Sequence, residues 1–133
     1  MTPGRARWAI AIAGILTPYL ARIPGMLTHG ASWLTSYFGD TLWAPLFFGA
    51  FNAVCWVPAV LATRSYRHAS AAWFPAVGAL GSSAALHSTI DLAADAQAAI
   101  ALVAIPFYTL PFTLLGWWLG RRWDRRRCTA APD

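Results

Sequence analysis

The chain has 133 residues, of which 58% are hydrophobic and 11% are charged, and this composition excludes an ordinary soluble domain. Soluble domains carry about a quarter charged residues, so much of the apolar surface of this chain is expected to face lipid. The net charge of +5 would suggest nucleic-acid binding in a soluble protein. Here the Arg residues flank apolar runs, where they orient the chain and contact anionic headgroups, so we expect no nucleic-acid partner.

Basic and acidic residues alternate in the segments around and between four apolar runs. Nine of the ten Arg lie before the first run, between the second and third, or after the fourth: Arg5, Arg7, Arg64, Arg67, Arg121, Arg122, Arg125, Arg126 and Arg127. The other two gaps carry Asp40, Asp91 and Asp95 and no Lys or Arg. Because basic segments resist translocation, this pattern predicts an all-α bundle of four transmembrane helices in a bacterial inner membrane, with both termini in the cytoplasm.

The first predicted crossing covers about 8–28 and runs outward. A cleaved signal peptide is the alternative, but Tyr19 fits poorly at the −3 position of a cleavage after Ala21. The outer loop that follows carries Trp33, Leu34, Tyr37 and Phe38 at a spacing that places them on one side of a short helix. This segment is either a helix lying in the interface or an aromatic belt on an irregular loop.

The remaining crossings cover about 41–62, 71–92 and 97–119, and a basic cytoplasmic tail occupies 120–133. All belong to one domain, residues 1–133. The very short loop at 93–96 makes the third and fourth helices an antiparallel hairpin. Trp117, Trp118 and Trp123 flank the cytoplasmic end of the last crossing, at the depth that indole rings prefer.

Proline and small residues recur within the predicted crossings. Seven of the nine Pro fall there and predict kinked helices, either as fixed bends for packing or as broken helices around a substrate. Small residues pair one helical turn apart as Gly49 with Ala53, Gly78 with Ser82, Gly81 with Ala85, and Gly116 with Gly120. Such pairs allow close helix packing, but their spacing does not say whether they act inside the bundle or between copies.

Arg22 is the one Arg that falls inside a crossing, on the outer side of the middle. An ionisable residue at that depth is a functional candidate, because its insertion cost has to be offset. His87 and Asp91 share a face of the third crossing. A pair between Arg22 and Asp91 would be a structural staple or, alternatively, a gate or anion-binding element.

The other polar candidates carry little catalytic signal. Asn52 is the most costly polar residue near the middle, where hydroxyls could form a hydrogen-bonded layer across the four helices or line a path: Thr17, Ser82, Ser83, Tyr108 and Thr109. His87 and Asp91 have the i, i+4 spacing of metal ligands, and His29 and Asp40 are expected on the same outer side, where His29 and His87 are also the candidate ligands of a haem. No motif supports such a site, so we expect no metal and no cofactor. Ser83 and His87 lie one turn apart without a third catalytic group.

Three functional hypotheses remain from the sequence. The first is a non-enzymatic multi-pass membrane protein that acts by helix–helix association with a partner or with itself. The second is a small oligomeric channel or transporter, and the third is a membrane enzyme or cofactor carrier using the outer His/Asp cluster. We favour the first, because the chain has no evident catalytic motif and its few polar residues are explicable as contacts between helices.

Overall fold

In a computed structural model of the protein, residues 2–34, 43–90 and 98–129 are described, and their regular elements are all helical. The α-helices are α1 (Pro3–Leu20), α2 (Ile23–His29), α3 (Trp43–Ala62), α4 (Trp73–Ser88) and α5 (Ala98–Thr129). Short 3₁₀ helices cover Ala31–Leu34, Thr63–Ser65 and Ala69–Ala72. The predicted all-α class is confirmed for this part of the chain.

Among the described residues, three helical segments are long and apolar enough to cross a membrane. They are Pro3–His29, which joins α1 and α2, then Leu46–Ser65 and Ile100–Thr129. The segment predicted as the third crossing forms α4, whose 16 residues make it the shortest of the long helices. The predicted membrane character is therefore confirmed by three segments, while a fourth crossing is not established by length.

The first predicted crossing is interrupted rather than continuous. Helix α1 ends at Leu20, and Ala21 and Arg22 form a turn in which the Arg22 N–H donates to the Tyr19 carbonyl at 3.1 Å. Pro24 has no N–H to offer the Leu20 carbonyl, so the helix cannot continue its regular bonding through this point. The sequence indicated a bend here, and the structure shows a break that places Arg22 between two helices.

The prolines inside α3 and α5 leave these helices unbroken. Helix α3 runs through Pro58, and α5 runs through Pro106 and Pro111. Pro75 lies in the first turn of α4, where a backbone N–H has no helical partner to lose.

The neighbouring helices pack in alternating directions. In the α4–α5 pair, Gly78 meets Phe112 and Gly116 meets Phe74, so the two helices are antiparallel. In the α1–α3 pair, Gly14 meets Trp56 and the Arg7 Nε donates to the Thr63 hydroxyl at 3.1 Å, which is again antiparallel. Helix α3 also packs against α5, and α1 against α4.

Small residues make up much of the interior, and many large apolar residues lie outside. The buried set includes Ala6, Ile10, Cys55, Ala59, Ala62, Ala71, Ala76 and Ala79. The exposed set includes Trp8, Ile15, Leu27, Trp43, Val77, Ile100 and Phe112. This arrangement is typical of helices in lipid, where close packing of small residues holds helices together and large side chains can face acyl chains.

Trp33 departs from the interfacial position that its spacing predicted. Its side chain is buried, its indole lies against Gly25, and its ring stacks on that of His29 at 4.6 Å between centroids. The residues around Trp33 form a 3₁₀ helix, while Tyr37 and Phe38 lie outside the described residues.

Candidate functional site

Arg22 is buried at the α1–α2 break, with 1% of its surface exposed. Its guanidinium carbon lies 5.9 Å from the ring centroid of Phe48 on α3. The residue therefore connects the break in the first crossing to α3, and α2, which begins after the break, packs against α4. Asp91, its predicted partner, lies outside the described residues.

His87 is fixed by its own helix rather than by a catalytic partner. Its Nδ1 lies 2.8 Å from the Ser83 carbonyl oxygen and 3.5 Å from the Ser83 hydroxyl. A carbonyl oxygen only accepts, so the ring proton of this hydrogen bond is on Nδ1. That nitrogen cannot take a proton from Ser83, and the geometry gives no support to a serine nucleophile here.

Asn52 is buried on α3, one turn after Phe48, whose ring faces Arg22. Its Nδ2 donates to the Phe48 backbone carbonyl at 2.8 Å, and its own backbone carbonyl accepts from the Cys55 thiol at 3.1 Å. Within the part of the chain that the structure describes, the side-chain Oδ1 of Asn52 and the indole N–H of Trp56 make no hydrogen bond. Arg22 and Asn52 are thus linked through Phe48, whereas the hydrogen bonds of His87 stay within α4.

The predicted hydrogen-bonded layer at mid-depth does not form among the described hydroxyls. Thr17 donates to the Ala13 carbonyl at 3.0 Å, Ser82 to Gly78 at 2.6 Å, and Thr109 to Pro106 at 2.8 Å. Each of these bonds stays within one helix, although Thr109 also contacts Cys55 of α3. Tyr108 points outward and is 66% exposed, so it belongs to the lipid-facing surface.

A second polar site, which the sequence analysis missed, lies at the Arg-rich end of the bundle. The Asp124 carboxylate of α5 accepts the backbone N–H groups of Arg67 and His68 at 3.0 and 2.9 Å. One of its oxygens also lies 2.8 Å from the His68 Nδ1. Burial alone would raise the pKa of Asp124, but the hydrogen bonds from Arg67 and His68 outweigh it and the pKa lies below its ordinary value.

Cys128 completes this second site. It follows Asp124 by one turn of α5, and one ligand atom from each of His68, Asp124 and Cys128 lies within 4.8 Å of the others. The sequence signal was the i, i+4 spacing of Asp124 and Cys128 on a helix, with His68 in a turn on the same side of the membrane. Interpretation of 120–133 only as a basic cytoplasmic tail leaves this spacing unused. The Cys128 thiol and the buried Cys55 thiol are both free.

The four small-residue pairs divide into two kinds. Gly78, Gly116 and Gly120 are covered by the α4–α5 contact, where an added Cβ at any of them would come within 2.8 Å of a carbonyl oxygen of the facing segment. An added Cβ at Gly49 or Gly81 would meet nothing within 4 Å. The pairs containing Gly49 and Gly81 therefore remain open on the outer surface.

The pair on α3 borders an apolar groove. The groove lies between α1 and α3, has a volume of about 290 Å³, and is lined in part by Ala11, Gly14, Gly49, Ala53 and Trp56. Small residues on both walls let another helix come close to the backbone here.

Comparison of the chain with known proteins identifies no family. No protein-family model, curated protein or solved structure matches the chain significantly. Its function has to be argued from the two polar sites and the open groove.

Proposed function

We propose that this chain is a small multi-pass protein of the bacterial inner membrane that acts by helix–helix association with a partner or a second copy. In this proposal four helical segments cross the bilayer, both termini are cytoplasmic, and the Arg-rich end of α5 contacts anionic headgroups. The protein carries out no reaction of its own. The open Gly49–Ala53 pair beside the α1–α3 groove is the observation that carries the proposal.

The pairing of α4 with α5 supports four crossings. The two helices stay together from Ala71 beside Gly120 to the pocket that Leu86 and Ile90 share with Ile100. Helix α4 therefore extends along the whole apolar part of α5. At 1.5 Å per residue its 16 residues span about 24 Å, and the 3₁₀ turn before it adds enough to approach the roughly 30 Å hydrocarbon thickness.

The buried polar residues support a structural role for the Arg22 region. Arg22 is enclosed, its charge faces the Phe48 ring, and the hydroxyls at mid-depth bond mostly to their own helices. These contacts fix the α1–α2 break against α3 and α4 without presenting a lined path. Association through the outer surface then accounts for the small residues that the bundle itself leaves uncovered.

Substitution of Gly49 by Leu tests the proposed interface. An added Cβ at position 49 meets nothing within 4 Å, and a Leu side chain there would occupy groove space that the fold itself leaves open, so association is lost while the fold is kept. The measurement is energy transfer between donor- and acceptor-labelled copies in lipid vesicles, where the wild type shows transfer and Gly49→Leu does not. Gly81→Leu is the matched control on the other open face and should behave as the wild type.

A partner in place of a second copy gives a different result in the same system. Wild-type protein would then show no energy transfer, but a photo-crosslinker at position 49 would give one defined adduct in native membranes and one at position 81 would not. A wild type that neither self-associates nor crosslinks through position 49 contradicts the proposal. So does equal loss of association in both Leu variants.

The orientation is tested by reporter fusions. A reporter after Asp133 is expected to be active only in its cytoplasmic form, and one inserted near Ser36 only in its periplasmic form. The basic segments account for this result, because they resist translocation. The opposite pattern would overturn the four-crossing arrangement.

A further inference from the structure

We propose that His68, Asp124 and Cys128 form a binding site for a divalent metal ion that accepts thiolate, imidazole and carboxylate ligands, of which Zn²⁺ is the representative. The site lies at the Arg-rich end of the bundle, away from the α1–α3 groove. The metal site and the proposed association use different residues, so the failure of one proposal does not affect the other.

The fold holds the three side chains together before any metal arrives. Asp124 and Cys128 share one face of α5, because they are one turn apart on a helix that continues to Thr129. His68 belongs to the connection between α3 and α4, and two backbone hydrogen bonds to Asp124 fix that connection on α5. Ligand atoms within 4.8 Å of one another need only side-chain rotation to surround one ion.

The donor set indicates the class of metal. A thiolate sulfur with an imidazole nitrogen and a carboxylate oxygen suits Zn²⁺ and its neighbours in the first transition row, whereas Mg²⁺ and Ca²⁺ prefer oxygen ligands alone. Three protein ligands leave one tetrahedral position for water or an exchangeable ligand. The His68 side chain is 44% exposed while Asp124 is 8% exposed, so one side of the site is open to solution.

The surrounding positive charge is compatible with a cation at this place. The Cys128 thiolate and the Asp124 carboxylate together balance the charge of a divalent ion. Two nearby guanidinium groups are directed at indole rings: Arg127 lies 4.8 Å from the Trp123 centroid, and Arg122 lies 5.4 Å from the Trp118 centroid.

Metal binding changes which ligand atoms carry protons. Without metal, a proton lies between the His68 Nδ1 and the Asp124 carboxylate oxygen, which are 2.8 Å apart. The metal takes the place of this proton on Nδ1. The proton of the neutral imidazole is then on Nε2, so His68 releases no net proton, and the Cys128 thiol releases one proton to water. The apparent affinity therefore rises with pH.

The test is a titration of the full-length protein in detergent, after removal of any affinity tag, with Co²⁺ followed by Zn²⁺. Co²⁺ bound to a thiolate gives a sulfur-to-metal charge-transfer band and strong tetrahedral ligand-field bands. We expect both to saturate at one Co²⁺ per chain and to disappear when Zn²⁺ is added. Cys128→Ser should abolish the charge-transfer band and weaken Zn²⁺ binding at least about tenfold, whereas Cys55→Ser, the matched control, should leave both unchanged.

Histidine variants and a ligand exchange keep the test decisive. His68→Ala should weaken Zn²⁺ binding, and His29→Ala should not. Cys128→His should remove the charge-transfer band but restore Zn²⁺ binding, with the helical circular dichroism of each variant confirming its fold. The proposal is wrong if the wild type gives no saturable thiolate band, or if Cys128→Ser keeps the band that Cys55→Ser loses.

Discussion

The α4–α5 and α1–α3 pairs both bring glycine to a helix interface, yet they use it differently. In α4–α5, Gly78 and Gly116 each receive the backbone of the other helix, and a Cβ at either would lie 2.5 Å from a carbonyl oxygen. In α1–α3, Gly14 receives the Trp56 ring, and a groove remains open beside it. The first pair is closed by its small residues, whereas the second keeps small residues available.

This difference matters because lipid offers little hydrophobic drive for helices to associate. Backbone approach gains dispersion contacts and weak Cα–H···O contacts along the whole α4–α5 pair. The α1–α3 pair instead packs Gly14 against the large Trp56 ring and is joined by the hydrogen bond from Arg7 to Thr63. Identical i, i+4 spacing in a sequence can therefore mark either an interface used within the chain or one left for another helix.

The largest effect is expected from Gly116→Leu. The new side chain would overlap the carbonyl and Cα atoms of Phe74 and Pro75, which are backbone and cannot rotate away. We expect the free energy of unfolding to fall by about 3 kcal/mol or more, at the upper end of overpacking costs. Unfolding by SDS, followed by circular dichroism in mixed micelles, measures the change.

Gly81→Leu provides the comparison on the same pair of helices. It faces open space on α4, so its free energy of unfolding should stay within about 1 kcal/mol of the wild type. If Gly116→Leu is tolerated as well as Gly81→Leu, then the α4–α5 pair is not closed by backbone approach and the contrast between the two pairs fails.

Most of the fold could be predicted because hydropathy and charge position report on it directly. The second predicted crossing, 41–62, corresponds to α3 at Trp43–Ala62, and the first covers most of α1 and α2. The end of α5 could not be placed, since hydropathy falls after Leu119 while the helix continues to Thr129. Arg is a good helix former, and Gly120 is accommodated by close contact with Ala71, so nothing local ends the helix there.

Some residues of the candidate site could be predicted from the sequence, but the groups they contact could not. The depth of Arg22 and its proximity to the third crossing followed from charge alternation. The break that holds Arg22 depends on Pro24, which leaves the Leu20 carbonyl without its helical donor. The hydroxyls at mid-depth bonded to their own helices, a local alternative that spacing alone does not exclude. Asp124 is not among the predicted site residues, because its partners Arg67 and His68 are distant in sequence.

The smallest expected effect, and the finest test of the comparison, is Gly14→Ala. Its Cβ would lie 3.1 Å from Trp56 Cδ2 and Cε3, which is tight, but the neighbour is a side chain beside an open groove and can shift. Alanine also favours a helix over glycine by roughly 0.5–1 kcal/mol, which offsets the crowding. The free energy of unfolding should therefore change by less than about 1 kcal/mol, with a measurable shift in tryptophan emission.

The equivalent Gly116→Ala has no such space and should cost more, because there the Cβ meets backbone. Equal losses in the two Ala variants would mean that the α1–α3 pair is as rigid as α4–α5, and that its groove could not admit another helix.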